Sequence, residues 1–297
     1  MILMRLPLIR WKMRLLYRGV FMLAPVLGIL VLAGAAESRT WHVHQDGSGD
    51  APTIQAAIDS SGVGDSILVA PGTYSQKSMG ILSKDSLTIK SEQGAGQTLL
   101  YSLDYEILDV ASSRQITIDG FTFENSPRSA LVIEYSEHIT LQGNIVRYAL
   151  ESAIALDMST SVMIRGNVIY SNGGGIHCMD LTSSVYVYGN TIAHNTGCGF
   201  CADDINYSIE NNIIAYNKTG VSSTVASFSC NDVFGNDTDY NLLFVPDPTG
   251  TNGNISMSPL FCGVDPATSG NYYLQQNSPC APGNHPEGPI CGVIGRY

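Results

Sequence analysis

The chain has 297 residues, the length of one long domain or two short ones. Only 14% are Asp, Glu, Lys or Arg, against about 25% in an average soluble domain, and acids outnumber bases 26 to 15 for a net charge of −11. The sign argues against a nucleic-acid binder, the low charge excludes a long coiled coil, and 44% apolar residues exclude global disorder.

Residues 1–36 differ from the rest. Arg5, Arg10, Lys12, Arg14 and Arg18 form a basic stretch without an acid, and Gly19 to Ala36 is a run of apolar or small residues ending Ala33-Gly34-Ala35-Ala36. Basic region, apolar region and small-residue end describe a secretory signal peptide cleaved after Ala35 or Ala36. An uncleaved anchor is the alternative, since 18 residues are just enough to span a bilayer. Nothing later in the chain is long and apolar enough to cross, so no membrane span remains after cleavage. Removing the signal leaves 10 bases against 26 acids, a net of −16. All seven cysteines follow it, and export permits disulfides.

The middle of the chain repeats. Ile164-Arg165-Gly166-Asn167-Val168-Ile169-Tyr170-Ser171-Asn172 aligns with Val187 to Asn195, Ile209 to Asn217 and Cys230 to Asn236, and Leu141 to Val146 extends the series upstream. Asn144, Asn167, Asn190, Asn212 and Asn231 are spaced 23, 23, 22 and 19, and a second Asn follows each of the last four after five residues. Between them lie short alternating strands such as Val162-Met163-Ile164 and Val185-Tyr186-Val187. No amphipathic helix fits inside a repeat. A period near 22 with three short strands predicts an all-β parallel β-helix (solenoid) spanning 64–245, with a closing segment over 246–297. The repeated Asn suits a left-handed turn, and its amide can bond the Asn of the next coil, so these residues are read as structural.

At this point the chain resembles the right-handed parallel β-helix proteins of the pectin-lyase-like superfamily, over roughly residues 41–245. The opening Asp46-Gly47-Ser48-Gly49-Asp50-Ala51-Pro52-Thr53-Ile54-Gln55-Ala56-Ala57-Ile58 and Gly64-Asp65-Ser66-Ile67-Leu68-Val69-Ala70-Pro71-Gly72-Thr73-Tyr74 is similar to the start of that superfamily, pectinesterases included. The resemblance implies a short helix capping the first coil. Thr53 to Ser60 fits, with Ile54, Ala57 and Ile58 on one face, within an N-terminal segment 37–63.

Counting 13 residues on from Phe121, Asn144, Asn167 and Asn190 lands on Glu134, Asp157, Asp180 and Asp203, and Asp204 adds a fifth acid. Stacked at strand spacing, about 5 Å, such a row is a solvated turn, a Ca²⁺ site or a set of catalytic carboxylates. Asp180 followed by Asp203-Asp204 is similar to the galacturonase acids, with His177 as a nearby imidazole, whereas the His and basic motif expected on the next coil are missing. Gln76 stands where pectinesterases usually carry Glu, and few cations line the middle coils as a lyase would need. Tyr170, Tyr186, Tyr188 and Tyr216 are candidates for sugar contact, with Tyr186 and Tyr188 preferred.

A Cys280–Cys291 disulfide around the Pro/Gly-rich loop is the pairing expected in the tail, with Cys230–Cys262 weaker. Cys178 and Cys201 are either bridged or small core residues, and a zinc site of Cys178, Cys198, Cys201 and His177 is the sharper alternative. The reading is a protein secreted, periplasmic or at the cell surface that binds or processes extracellular polysaccharide. A non-catalytic structural or adhesive surface module and a periplasmic metal-handling protein are the alternatives.

Overall fold

Many strands of the repeat bury alternate side chains, as in Ser66–Val69 and Leu131–Glu134, so a coil of three short strands can enclose a dry centre only by stacking on similar coils. The computed structural model describes residues 37–75, 77–203, 207–223, 226–242, 246–263 and 265–296. The proposed signal at 1–36 and Asp204 lie outside the described residues. The strands form three parallel sheets of nine, eight and eight strands, each strand hydrogen-bonded to its counterparts on the adjacent coils. The nine-stranded sheet runs from Thr40–Val43 through Thr160–Arg165 and Ser183–Tyr188 to Ala226–Ser229. One eight-stranded sheet runs from Gly72–Ser75 to Asp232–Phe234, and the other from Met79–Leu82 to Thr238–Leu242. Ile and Val from all three fill one continuous core.

The corners are held from inside. Asn167 donates its backbone N and Nδ2 to Asn190 Oδ1, both at 2.9 Å, and the same link joins Asn144 to Asn167, Asn190 to Asn212 and Asn212 to Asn231. The ladder reaches one coil further than expected, to Asn254. Asn172, Asn195, Asn217 and Asn236 form a second ladder at the next corner. Ser113, Ser136 and Ser159 do the same at the third with their hydroxyls. Before the first Asn row stand Gly120, Gly143, Gly166 and Gly189 at φ between +60° and +77°, a region that costs glycine nothing.

The helix Ile54–Ser60 caps the first coil, burying Ile54, Ala57 and Ile58, with the Thr53 hydroxyl accepting from Ala56 N. Gln55 completes the cap. Its Nε2 donates to Gly80 O and its Oε1 accepts from Gly80 N, replacing the missing strand at a sheet edge.

The tail does more than close the far end. It folds back over the sheet that ends at Asp232–Phe234, and Tyr272, Phe261, Leu274 and Ile294 form a second core with Val168, Tyr170, Ala193 and Ile213. Arg296 N donates to Thr191 Oγ1 and Arg296 Nη1 to Asn144 O. That sheet is therefore covered on both faces, whereas among the described residues no segment folds back over the outer faces of the other two sheets. The cysteine pairing differs from expectation. Cys291 is bonded to Cys230, on a corner that the tail crosses, whereas Cys280 is a buried thiol. Cys262 is free and exposed.

Candidate functional site

The open eight-stranded sheet carries most of the predicted acids. In the strand Leu131–Glu134, Leu131 and Ile133 point into the core, so Val132 and Glu134 face outward. The register stacks Asp109, Val132, Ala155, His177, Cys201 and Ser222 in one outer row. Ala111, Glu134 and Asp157 form the next. Asp180 reaches the same turn as Glu134 and Asp157: Ser112 N donates to Glu134 O, Tyr135 N to Asp157 O and Met158 N to Asp180 O.

The four-acid ladder is not continuous. Leu156 pairs with Cys178, so Met179 and Asp180 together occupy the place opposite Asp157, a one-residue bulge. Cys178 in turn pairs with Ala202, which puts Asp203 beside Met179 rather than Asp180. The counted period of 23 fails here because the strand register advances by 22 and then by 24. Among the described residues no three His, Cys, Asp or Glu side chains are grouped to hold a metal ion. The zinc alternative fails on the same ground, and because Cys198 and Cys201 are bonded to each other while Cys178 is buried.

Two acids escaped sequence reading. Asp109 lies below Val132 with its Oδ1 buried and unpartnered, and Glu106 precedes the same strand. Desolvation, with Glu134 and Glu106 adding repulsion, pushes the Asp109 carboxyl up to about 6. Asp157 Oδ1 is also buried without a partner. The signal for Asp109 was the alternation Leu108-Asp109-Val110, which turns the Asp outward.

Beyond the acids runs a row of apolar side chains. Tyr135, Met158 and Leu181 sit at φ of 49°, 44° and 52° and are 59%, 40% and 73% exposed. A bulky side chain in the left-handed region costs about 1–2 kcal/mol. Comparable turns elsewhere use Gly, Ser or Asn, as at Gly143, Ser161 and Asn211. The row is thus unfavourable both for the backbone and for hydration. The equivalent apolar residues at another corner, Tyr148, His194 and Tyr216, interact with Tyr170, Tyr272 and Phe261 beneath the folded-back tail.

On the leading side of the sheet a cleft of about 390 Å³ is lined by Glu151, Ser152, His177, Thr196, Cys198 and Cys201. His177 therefore faces the same sheet as the acids. Tyr186 and Tyr188 do not: they are about half exposed on the outer face of the nine-stranded sheet, beside Met163 and Arg165. Tyr170 is buried under the tail, where its hydroxyl accepts from Arg147 Nη1, and Tyr216 stacks near His194. These two are packing residues.

The model of the right handed beta helix region matches residues 107–278, more than half of the chain. The chain belongs to the right-handed β-helix family. Among solved structures, the pectate lyase Pel9A superposes with a TM-score of 0.60 at 12% identity, covering 89% of this chain and 97% of that one. An alginate lyase from Paenibacillus sp. str. FPU-7 aligns at 14% identity with a TM-score of 0.47, over 66% of this chain and 87% of that one. At these identities the likeness is one of fold. A comparison with curated protein sequences finds no match.

Proposed function

We propose that this β-helix protein is exported and binds and processes an extracellular polysaccharide along its open eight-stranded sheet. The observation that carries the reading is Asp109, an outward carboxyl with a buried, unpartnered oxygen, pushed up to about 6 and neighboured by Glu134. Such a group exchanges its proton near neutral pH, and a carboxyl of that kind with a second carboxylate nearby suits general acid–base work on a glycosidic bond. Tyr135, Met158 and Leu181 supply an apolar strip for sugar faces alongside Glu134, Asp157 and Asp180. Two disulfides favour an oxidising compartment, and among the described residues no helix is long and apolar enough to cross a membrane.

The pectate lyase of similar fold acts, by its name, on pectate, a polyanion. Here the face is acidic and the chain after residue 36 carries −16, so a neutral polymer is favoured over a polyuronate. The test uses residues 37–297 in affinity electrophoresis against neutral glycans and polyuronates, with release of reducing ends measured in parallel. Retardation by a neutral glycan is expected, and Asp109→Asn lowers release by about 100-fold while leaving retardation intact. Retention without release would assign the face an adhesive role, and binding to none of the polymers would overturn the reading.

A further inference from the structure

The two disulfides of the molecule do different things. Cys230–Cys291 spans 61 residues and ties the tail to a corner. Cys198–Cys201 spans three, and a loop that short constrains the unfolded chain least. It also links residues that the ladder already fixes. Phe200 and Cys201 pair with Ile176 and His177 on one side, and Cys198, Phe200 and Cys201 pair with Thr219, Val221 and Ser222 on the other. The fold has little use for this bond.

Its placement follows from a break in strand alternation that the neighbouring strands Gly174–Cys178 and Thr219–Ser223 share. In a regular strand residues three apart point to opposite faces. Here Gly199 and Phe200 are both buried while Cys198 and Cys201 are both partly exposed, so the alternation is broken and the two sulfurs share the outer face. Gly199 makes this possible. A Cβ there would lie 2.8 Å from Ile214 Cγ2 and 2.9 Å from Gly220 O, so only glycine fits. Both cysteines line the 390 Å³ cleft, whose wall includes the Gly173-Gly174-Gly175 backbone, and His177 is paired with Cys201 in register.

We propose that Cys198–Cys201 is a thiol–disulfide exchange site that reacts with external thiols entering this cleft. A substrate thiolate attacks Cys198 Sγ. The S–S bond breaks, and its electron pair leaves on Cys201 Sγ, beside the His177 imidazole, which stabilises the thiolate when protonated. A second substrate thiol, as its thiolate, attacks the substrate sulfur of the mixed disulfide and frees Cys198. Two external thiols become one disulfide, the protein disulfide becomes two thiols, and the two protons end on Cys198 and Cys201. Neither buried thiol can substitute. Cys178 and Cys280 are enclosed, and burial pushes both thiols well above their ordinary range.

The experiment uses the folded protein with the exposed Cys262 removed (Cys262→Ser), incubated without denaturant in reduced glutathione or dithiothreitol, quenched by alkylation and mapped by mass spectrometry. Cys198 and Cys201 are expected to be alkylated about 100-fold faster than Cys230 and Cys291. His177→Gln is expected to slow the exchange about tenfold near pH 7, with an unchanged circular-dichroism spectrum. Cys198→Ser with Cys201→Ser is expected to lower glutathione oxidation to the slow rate of Cys230–Cys291. Reduction of Cys198–Cys201 only after unfolding, or at the rate of Cys230–Cys291, would overturn the proposal. An unchanged rate in His177→Gln would overturn the role given to the imidazole.

Discussion

Asn190→Ala is expected to cost about 4 kcal/mol, because it removes as many bonds as any single side chain in the ladder and leaves their partners in a dry corner. Asn190 is fully buried. Its Oδ1 accepts from the backbone N and the Nδ2 of Asn167, and its Nδ2 donates to Ile164 O, Tyr188 O and Asn212 Oδ1. Alanine strands two N–H donors and several acceptors at once, each worth about 1–3 kcal/mol, while relaxation and water recover part of the loss. For a chain of this size that corresponds to a fall in Tm of about 10 °C. Thermal melts followed by circular dichroism check it. Coils contact only their neighbours, so the loss should also appear as local fraying, with faster amide exchange in the coils of Asn167 and Asn212 than near the capping helix.

Asp232→Asn is expected to act through pH. Asp232 is fully buried between the last Asn coil and the tail, where Met257 N and the Cys280 thiol donate to its carboxyl, each at 3.0 Å. Burial is the largest influence and pushes it up to about 7, with Asp239 adding repulsion and the two donors opposing. The folded protein thus holds a proton that the unfolded chain, titrating near 3.8, has released. The stability carried by that proton is fully present below the unfolded value and is lost as the pH rises through about 7. Between pH 4 and pH 8 the wild type should lose about 3–4 kcal/mol relative to Asp232→Asn, which resembles the protonated acid at every pH. Asp85 has the opposite sign. The hydrogen bond from Arg114 holds it below the ordinary carboxylate range, so its contribution is lost only in stronger acid. Urea titrations of both proteins at pH 5 and pH 8 separate the two effects, and parallel curves would refute the Asp232 account.

The fold was legible because it is periodic. The Asn rows and the capping helix announce themselves by spacing or by a one-sided apolar pattern, and each stands where that pattern puts it. The site was legible only in part. Glu134, Asp157 and Asp180 share a turn, yet Asp203 slips out of line, because Met179 adds a residue inside a coil whose Asn markers stay 23 apart. Asp109 lies on a coil with no Asn marker, so counting forward from Phe121 never reached it. Tyr170 reads as an outward strand residue until its partner is known, and that partner, Tyr272, comes from the tail about a hundred positions later. The pairing of Cys230 with Cys291 has the same origin: it depends on a path over the surface that no local pattern records.

The proposed function requires the polymer to meet the open eight-stranded sheet. Amide hydrogen exchange of the intact protein, with and without a glycan that retards it in the gel, tests this directly. Binding should protect Leu131–Glu134, Ser152–Asp157 and the Tyr135, Met158 and Leu181 turns, and leave Ser183–Tyr188 unchanged. Protection confined to Ser183–Tyr188 and Arg165 would place the contact on the nine-stranded sheet and contradict the assignment.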